Sequence, residues 1–148
     1  MIVNSLHVIF RRDLLKLKLE LEQYSHEEDI WRIAGSVLNS AGNLTLHLIG
    51  NLNTYIGAEL GKTGYIRDRP KEFSIKNIPR EELIYNIMRT MEMLEKVLPS
   101  LTEEQLLREY PQETAEGKVS TQHFLIHLAT HLNYHLGQVN YHRRLQTQ

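Results

Sequence analysis

Residues 123–144 read HFLIHLATHLNYHLGQVNYHRR. Leu125, Leu128, Leu132, Leu136 and Val139 recur at three- and four-residue spacing, which is the inward stripe of one amphipathic helix. In the same run His123, His127, His131 and His135 stand four residues apart. That spacing puts each neighbouring pair on adjacent turns, close enough for two imidazoles to reach one ion. All four cannot serve one site. Each four-residue step drifts by about 40° and rises about 6 Å, so His123 and His135 end about 120° and about 18 Å apart. Measured from the leucine stripe, His135 falls about 60° away, His131 about 100°, His127 about 140°, and His123 nearly opposite. A metal site in a helical protein is built from inward-projecting side chains. The wheel therefore selects His131 and His135 and leaves His123 and His127 toward solvent or a partner.

Upstream the pattern is helical throughout. Leu14, Leu17 and Leu21 repeat at helical spacing in a segment from about Ser5 to Tyr24. Ser25 and Glu28 have the spacing of a capping box ahead of a short helix around Trp31. A second long segment runs roughly from Asn43 to Leu60, with Leu44, Leu48, Leu52, Tyr55 and Ile56 on one side, and stops in the glycine-rich GAELGKTGY. The stretch RDRPKEFSIKNIP reads as a loop, and Pro79 suits the first turn of a third helix carrying Ile84, Ile87, Met91, Leu94 and Val97. Thr102 and Gln105 form another capping box for a brief helix ending near Leu107. REYPQETAEGKVS reads as a loop or small hairpin, after which Ser120 or Thr121 caps the histidine helix, which continues to about Leu145. Four long amphipathic segments with short or medium connections predict an all-α fold, a four-helix bundle with short accessory helices. At 148 residues the chain is expected to be a single domain, residues 1–148.

The charge balance narrows the functions. Seventeen basic and eighteen acidic side chains leave a net charge of −1, with no basic excess to drive binding to nucleic acid. No apolar run approaches the length of a membrane span, and the charges of MIVNSLHVIFRRD follow its apolar stretch, the reverse of a secretory signal. Without cysteine, neither disulfides nor thiolate metal sites are available, which fits a reducing compartment. The expected location is the cytoplasm.

Two histidines make an incomplete metal site. The leading third candidate is His47, which falls with Asn43, Gly50, Asn51, Thr54 and Ala58 on a face of small and polar side chains. Such a face either packs closely on another helix or lines a cavity. His7, near the terminus, is a weaker candidate. His26, His123, His127 and His142 read as ordinary packed or hydrogen-bonded histidines. The motif is not HExxH, because Leu132 stands where a zincin carries its glutamate, although Glu59 or Glu72 can approach in three dimensions. Arg67-Asp68-Arg69 has the chemistry to clamp an anion bidentately, or is simply an exposed charged loop. Ser36 and Ser40 lack the context of a nucleophile.

With these residues in view, the chain resembles the DinB-like superfamily over nearly its whole length. The similarity is carried by NSAGNLTLHLIGNLNTYIG around His47, RDRPKEF around Asp68, and HLNYHLGQVNYHRR around His135. In the last, His135-Leu136-Gly137-Gln138 is similar to the family's closing motif, with its paired histidine one turn earlier at His131. The resemblance implies that His47, His131 and His135 hold a divalent ion, commonly nickel or zinc. It also implies a homodimer and, as one activity of the family, thiol-dependent S-transfer or isomerisation with a low-molecular-weight thiol such as bacillithiol, mycothiol or glutathione. On that reading the chain is a metal-dependent thiol S-transferase acting on a small electrophile, with Arg67 and Arg69 steering an anionic cofactor. Metal-dependent hydrolysis and a non-enzymatic stress-response or binding module are the alternatives.

Overall fold

Helix α1 (Ile2–Glu22) buries Val3, Leu6, Phe10, Leu14, Leu17 and Leu21, one residue for nearly every turn of a single face. The computed structural model describes residues 1–146. After a 3₁₀ turn (Glu27–Trp31) comes α2 (Ala41–Leu52), opened by Ser40, whose Oγ accepts from the backbone N–H of Asn43 at 3.1 Å. The helix then widens into a π-helical turn over Asn53–Ala58. Its i→i+5 bonds include Glu59 N–H to the Thr54 carbonyl at 3.1 Å and Gly61 N–H to the Ile56 carbonyl at 2.9 Å. Short α3 (Arg69–Ser74) precedes α4 (Arg80–Val97), and α5 (Glu103–Leu107) leads through a small hairpin to α6 (Thr121–Gln146).

The four long helices form a ring: α1 packs on α4 and α6, and α2 packs on the same two. Their inner faces share one apolar cluster centred on residues such as Phe10, Leu17, Leu48, Ile87 and Leu132, all fully buried. The all-α bundle with short accessory helices is thus the observed architecture. Among the described residues no helix is long and apolar enough to cross a membrane.

Several local details differ from the sequence reading. The Ser25–Glu28 capping box does not form: His26 stands at the N-cap position of the 3₁₀ turn without a side-chain cap bond. The stretch RDRPKEF is not all loop, because Asp68 caps Lys71 N–H and Pro70 occupies the first turn of α3, a start signal compressed into two residues. The 109–120 segment does close as a hairpin, with bridges between Glu109 and Ser120 and between Thr114 and Gly117. The Thr102–Gln105 capping box is present in full. At the start of α6 it is Ser120 whose Oγ accepts from His123 N–H at 3.1 Å.

Two glycines of α2 permit close approaches. A Cβ on Gly42 would lie 2.6 Å from the Trp31 ring, and one on Gly50 would overlap the carboxylate of Glu72. The first seats the 3₁₀ turn on α2; the second matters more, as described below. Core packing is tested by Leu17→Ala, where a fully buried side chain leaves a cavity. Urea denaturation is expected to show a loss of about 2–5 kcal/mol with an unchanged helical spectrum.

Candidate metal centre

The small, polar face of α2 has two uses. Asn43 docks α3: its Nδ2 donates to the backbone carbonyls of Glu72 at 2.8 Å and Ile75 at 2.9 Å. One turn on, His47 points between α3 and α6, with only 7% of its surface exposed. One further turn along, Gly50 has no side chain, and the Glu72 carboxylate fills the space a Cβ would take. There Glu72 meets His47 Nδ1 at 3.1 Å.

From α6, His131 and His135 reach the other ring nitrogen of His47. His131 Nε2 lies 3.3 Å from His47 Nε2 and 3.1 Å from His135 Nε2. The three rings meet nearly edge to face, at interplanar angles of 78° and 90°. One ligand atom from each of the three lies within 4.8 Å of the other two, an arrangement that can hold a metal ion. The pair chosen by the helical wheel and the third residue chosen from α2 are therefore brought together. His7 on α1 is not part of the cluster.

Hydrogen bonding on the far side of the His47 and His135 rings sets their protons. A carboxylate only accepts, so His47 carries its proton on Nδ1 and donates it to Glu72. Arg67 Nη2, at 3.4 Å from the same nitrogen, therefore contacts His47 without a hydrogen bond between them. On α6, His135 Nδ1 lies 2.6 Å from Gln138 Oε1, one turn later, and donates to that amide oxygen. Both rings thus aim bare Nε2 lone pairs at His131. If His131 Nε2 carried a proton it could satisfy only one of them. With its proton on Nδ1, which has no partner in the structure, three lone pairs converge, an arrangement that a bound cation would relieve. Neutral imidazoles are the metal-binding form, and the surroundings favour it. Burial lowers the His131 pKa to about 3, helped by the neighbouring imidazoles of His135, His47 and His127. Burial also lowers that of His47, against the opposing pull of Glu72.

Glu72 is held in turn. Arg67 Nε donates to its Oε2 at 2.8 Å and Arg67 Nη2 to its Oε1 at 2.9 Å, the forked geometry of a guanidinium–carboxylate pair. The Arg67 guanidinium also lies 5.7 Å from the centre of the Tyr55 ring. Arg67 is thereby engaged behind His47, whereas Arg69 lies exposed with its guanidinium 5.4 Å from the Phe73 ring centre. The triad has open space on either side. His47 and His131 border a cavity of about 220 Å³ walled by Tyr55, Tyr110 and Phe124. His135 borders one of about 520 Å³ with Tyr134 and Tyr141.

The remaining histidines behave as ordinary side chains. His123 Nε2 and His127 Nδ1 both contact Glu116 of the hairpin, at 2.6 and 3.0 Å. His142 is buried between the Tyr24 hydroxyl and the Arg32 carbonyl, at 2.6 and 2.8 Å. Sequence reasoning named Glu72 only as a carboxylate able to approach and missed its role as the partner that orients His47. The available signal was Gly50, one turn beyond His47 on a face too small to be filled from within α2. The role of Gln138 was also missed, although it lies in the Gly-Gln of the closing motif.

A bundle of amphipathic helices with three histidines from two of them meeting at a cavity edge defines a helical-bundle protein with a candidate metal site. The model of the DinB superfamily matches residues 10–139, and the chain belongs to that superfamily. Among solved structures, a DinB-like protein from Bacillus subtilis superposes with a TM-score of 0.70. The match covers 97% of this chain and 92% of that one, at 19% sequence identity. No curated protein sequence matches the chain.

Two measurements probe the centre. An exposed helical Gly→Ala change normally stabilises by about 1 kcal/mol. Gly50→Ala is instead expected to destabilise, because its Cβ displaces the Glu72 carboxylate, and to weaken metal affinity by about 10- to 100-fold as His47 loses its orienting partner. Thermal unfolding and a metal titration read the two effects. The second measurement is ¹⁵N NMR of the metal-free protein at pH 5, which is expected to show His131 still neutral, since its pKa falls from the ordinary 6.5 to about 3. The unfolded chain takes up that proton first, so this ring makes the metal-free fold lose stability as pH drops from about 6.5 toward about 3. A His131 already charged at pH 5 would contradict the described environment.

Proposed function

We propose that His47, His131 and His135 bind a divalent metal ion, nickel or zinc, and that the protein is a metal-dependent transferase joining a low-molecular-weight thiol to a small electrophile. The observation that carries this reading is the convergence of three Nε2 atoms, with the rings of His47 and His135 oriented at their distal nitrogens by Glu72 and Gln138. Three neutral ligands suit such ions. A divalent ion held there would supply uncompensated positive charge, which favours loss of a proton from a thiol or water that it binds. The chain's own part is to fix the tautomers of His47 and His135 and to shape the space beside the three rings. His131 and His135 are only partly buried and cavities border the cluster on two sides, which favours a site open to small molecules over a closed structural one.

The two carboxylates named from the sequence favour transfer over hydrolysis, while a third, Glu113 of the hairpin, lines the cavity. Glu72 is committed to Arg67 and His47. Glu59 accepts from Gln112 Nε2 at 2.6 Å. Neither is a free base beside the triad. A thiol brings its own nucleophile: sulfur bonds to the electrophilic carbon, the leaving group departs with the bonding pair, and the thiol proton passes to solvent.

The test combines metal content with turnover. Elemental analysis of the purified protein is expected to find about one divalent ion per chain and a large loss in His135→Ala. The loaded protein is expected to convert a chloro-aromatic acceptor with bacillithiol, mycothiol or glutathione, and chelation is expected to abolish the reaction. Full metal content in His135→Ala overturns the site. Product formed without thiol shifts the reading to hydrolysis. No metal-dependent product with any of these thiols leaves the non-enzymatic alternative.

A further inference from the structure

In the histidine triad two rings are oriented from behind, His47 by Glu72 and His135 by Gln138. His131 is not: its Nδ1 is sealed from solvent and has no hydrogen-bond partner. Asn51 Oδ1 is in the same condition, buried, closed to solvent and without a donor. Buried polar atoms are nearly always paired, and an atom that solvent cannot reach is satisfied only by another part of the chain. The two orphans are complementary. Nδ1 is a donor in the tautomer that frees Nε2, and an amide oxygen only accepts.

The packing of α2 on α6 sets them facing each other. His47 meets His131 at 5.1 Å between ring centres, and Tyr55, further along α2, meets Phe124, earlier on α6, at 5.2 Å. These two helices therefore run antiparallel. Asn51 is midway between His47 and Tyr55, so it stands level with His127 and Leu128, about one turn before His131. Side chains lean toward the N-terminus of their own helix. In an antiparallel pair that lean tips Asn51 toward His131 and His131 toward Asn51. Both residues line the cavity of about 220 Å³, which leaves room for the amide and the ring to turn.

Nearby groups do not take this place. His127 directs its Nδ1 to Glu116. Thr54 Oγ1 is another unpartnered buried atom on the same face of α2, but it lies about 10 Å beyond His47 along the helix axis. Its hydroxyl can donate to the second lone pair of Asn51 Oδ1 without displacing His131.

We propose that Asn51 is the positioning residue of His131. Its Oδ1 accepts the Nδ1 proton, holds the ring in that tautomer, and so presents the Nε2 lone pair beside those of His47 and His135. Each ring of the triad then has one acceptor behind it: a carboxylate from α3, an amide from its own helix, and an amide from α2. The role deepens the metal-site reading and rests on it for its purpose, whereas the pairing itself concerns the chain alone.

The test is ¹⁵N-histidine NMR of the full chain at neutral pH, metal-free and zinc-loaded, with zinc affinity measured by competition against a chelator. In the native chain His131 is expected to carry its proton on Nδ1 in both forms, as a downfield, slowly exchanging signal. Asn51→Leu, close in shape but without an acceptor, is expected to lose that signal and shift metal-free His131 toward the Nε2–H tautomer. Its zinc affinity should fall about 10- to 100-fold. Asn51→Asp restores an acceptor and is expected to recover both tautomer and affinity, which a packing role for the amide does not predict. Thr54→Val should leave both unchanged. An unaltered His131 signal with undiminished zinc affinity in Asn51→Leu overturns the assignment, and so does a loss that Asn51→Asp fails to recover. A native chain that binds no zinc, yet whose His131 tautomer changes in Asn51→Leu, upholds the pairing and removes the metal reading. Equal zinc binding by both chains does the reverse.

Discussion

A single carboxylate pressed against a helix backbone organises this end of the bundle. Glu72 enters the gap at Gly50, accepts from His47 and is clamped by Arg67. Burying a charge this deeply is unfavourable unless it is both paired and hydrogen-bonded. Here both conditions are met by residues that also build the site. The requirement runs outward through the structure: α3 must dock so that Glu72 arrives, Asn43 must hold α3 down, and the loop before it must fold back to deliver Arg67. The imidazole of His47 then has one orientation and one tautomer, and it presents a lone pair to α6.

That chain of dependence explains why a neutral cluster of rings can persist inside a helical protein. Helix α6 contributes two histidines with little further support, since a four-residue spacing and one downstream glutamine suffice to aim them. Helix α2 contributes only one, and its orientation requires an entire accessory helix. The asymmetry fits the geometry of bundles, in which a pair on one helix is a local matter and the third ligand must be positioned through tertiary packing.

The bundle was legible because leucine spacing reports burial directly: every member of the stripe from Leu125 to Val139 is buried. The His131–His135 pair was legible for the same reason, being a matter of angle on one helix. His47 was readable only as a candidate on a small, polar face, because nothing in a periodicity says which neighbour such a face will meet. The family resemblance supplies most of the case for it. Glu72 and Gln138 escaped assignment since hydrogen-bond partners of a ring depend on rotamers and on which segment folds back. The capping box expected at Ser25 failed where a 3₁₀ turn replaced an α-helical one, which changes the spacing on which that motif depends. Helix α3 was hidden because six residues are too few to show a period.

The π-helical turn at the end of α2 has its own implication for how this chain can change length. Leu44, Leu48, Leu52 and Ile56 are buried at an unbroken spacing of four, and in a regular α-helix that spacing would precess by about 40° per step. The looser winding of Asn53–Ala58 takes up the precession, so Ile56 still faces inward while Tyr55 is left at the cavity wall. A relative shortened by one residue in this stretch would return to regular α-helical winding and keep the bundle, with Tyr55 turned from its place at the cavity wall. Its aromatic lining would then have to be rebuilt from different positions, so a single-residue indel could redirect what the cavity accepts without disturbing the three rings.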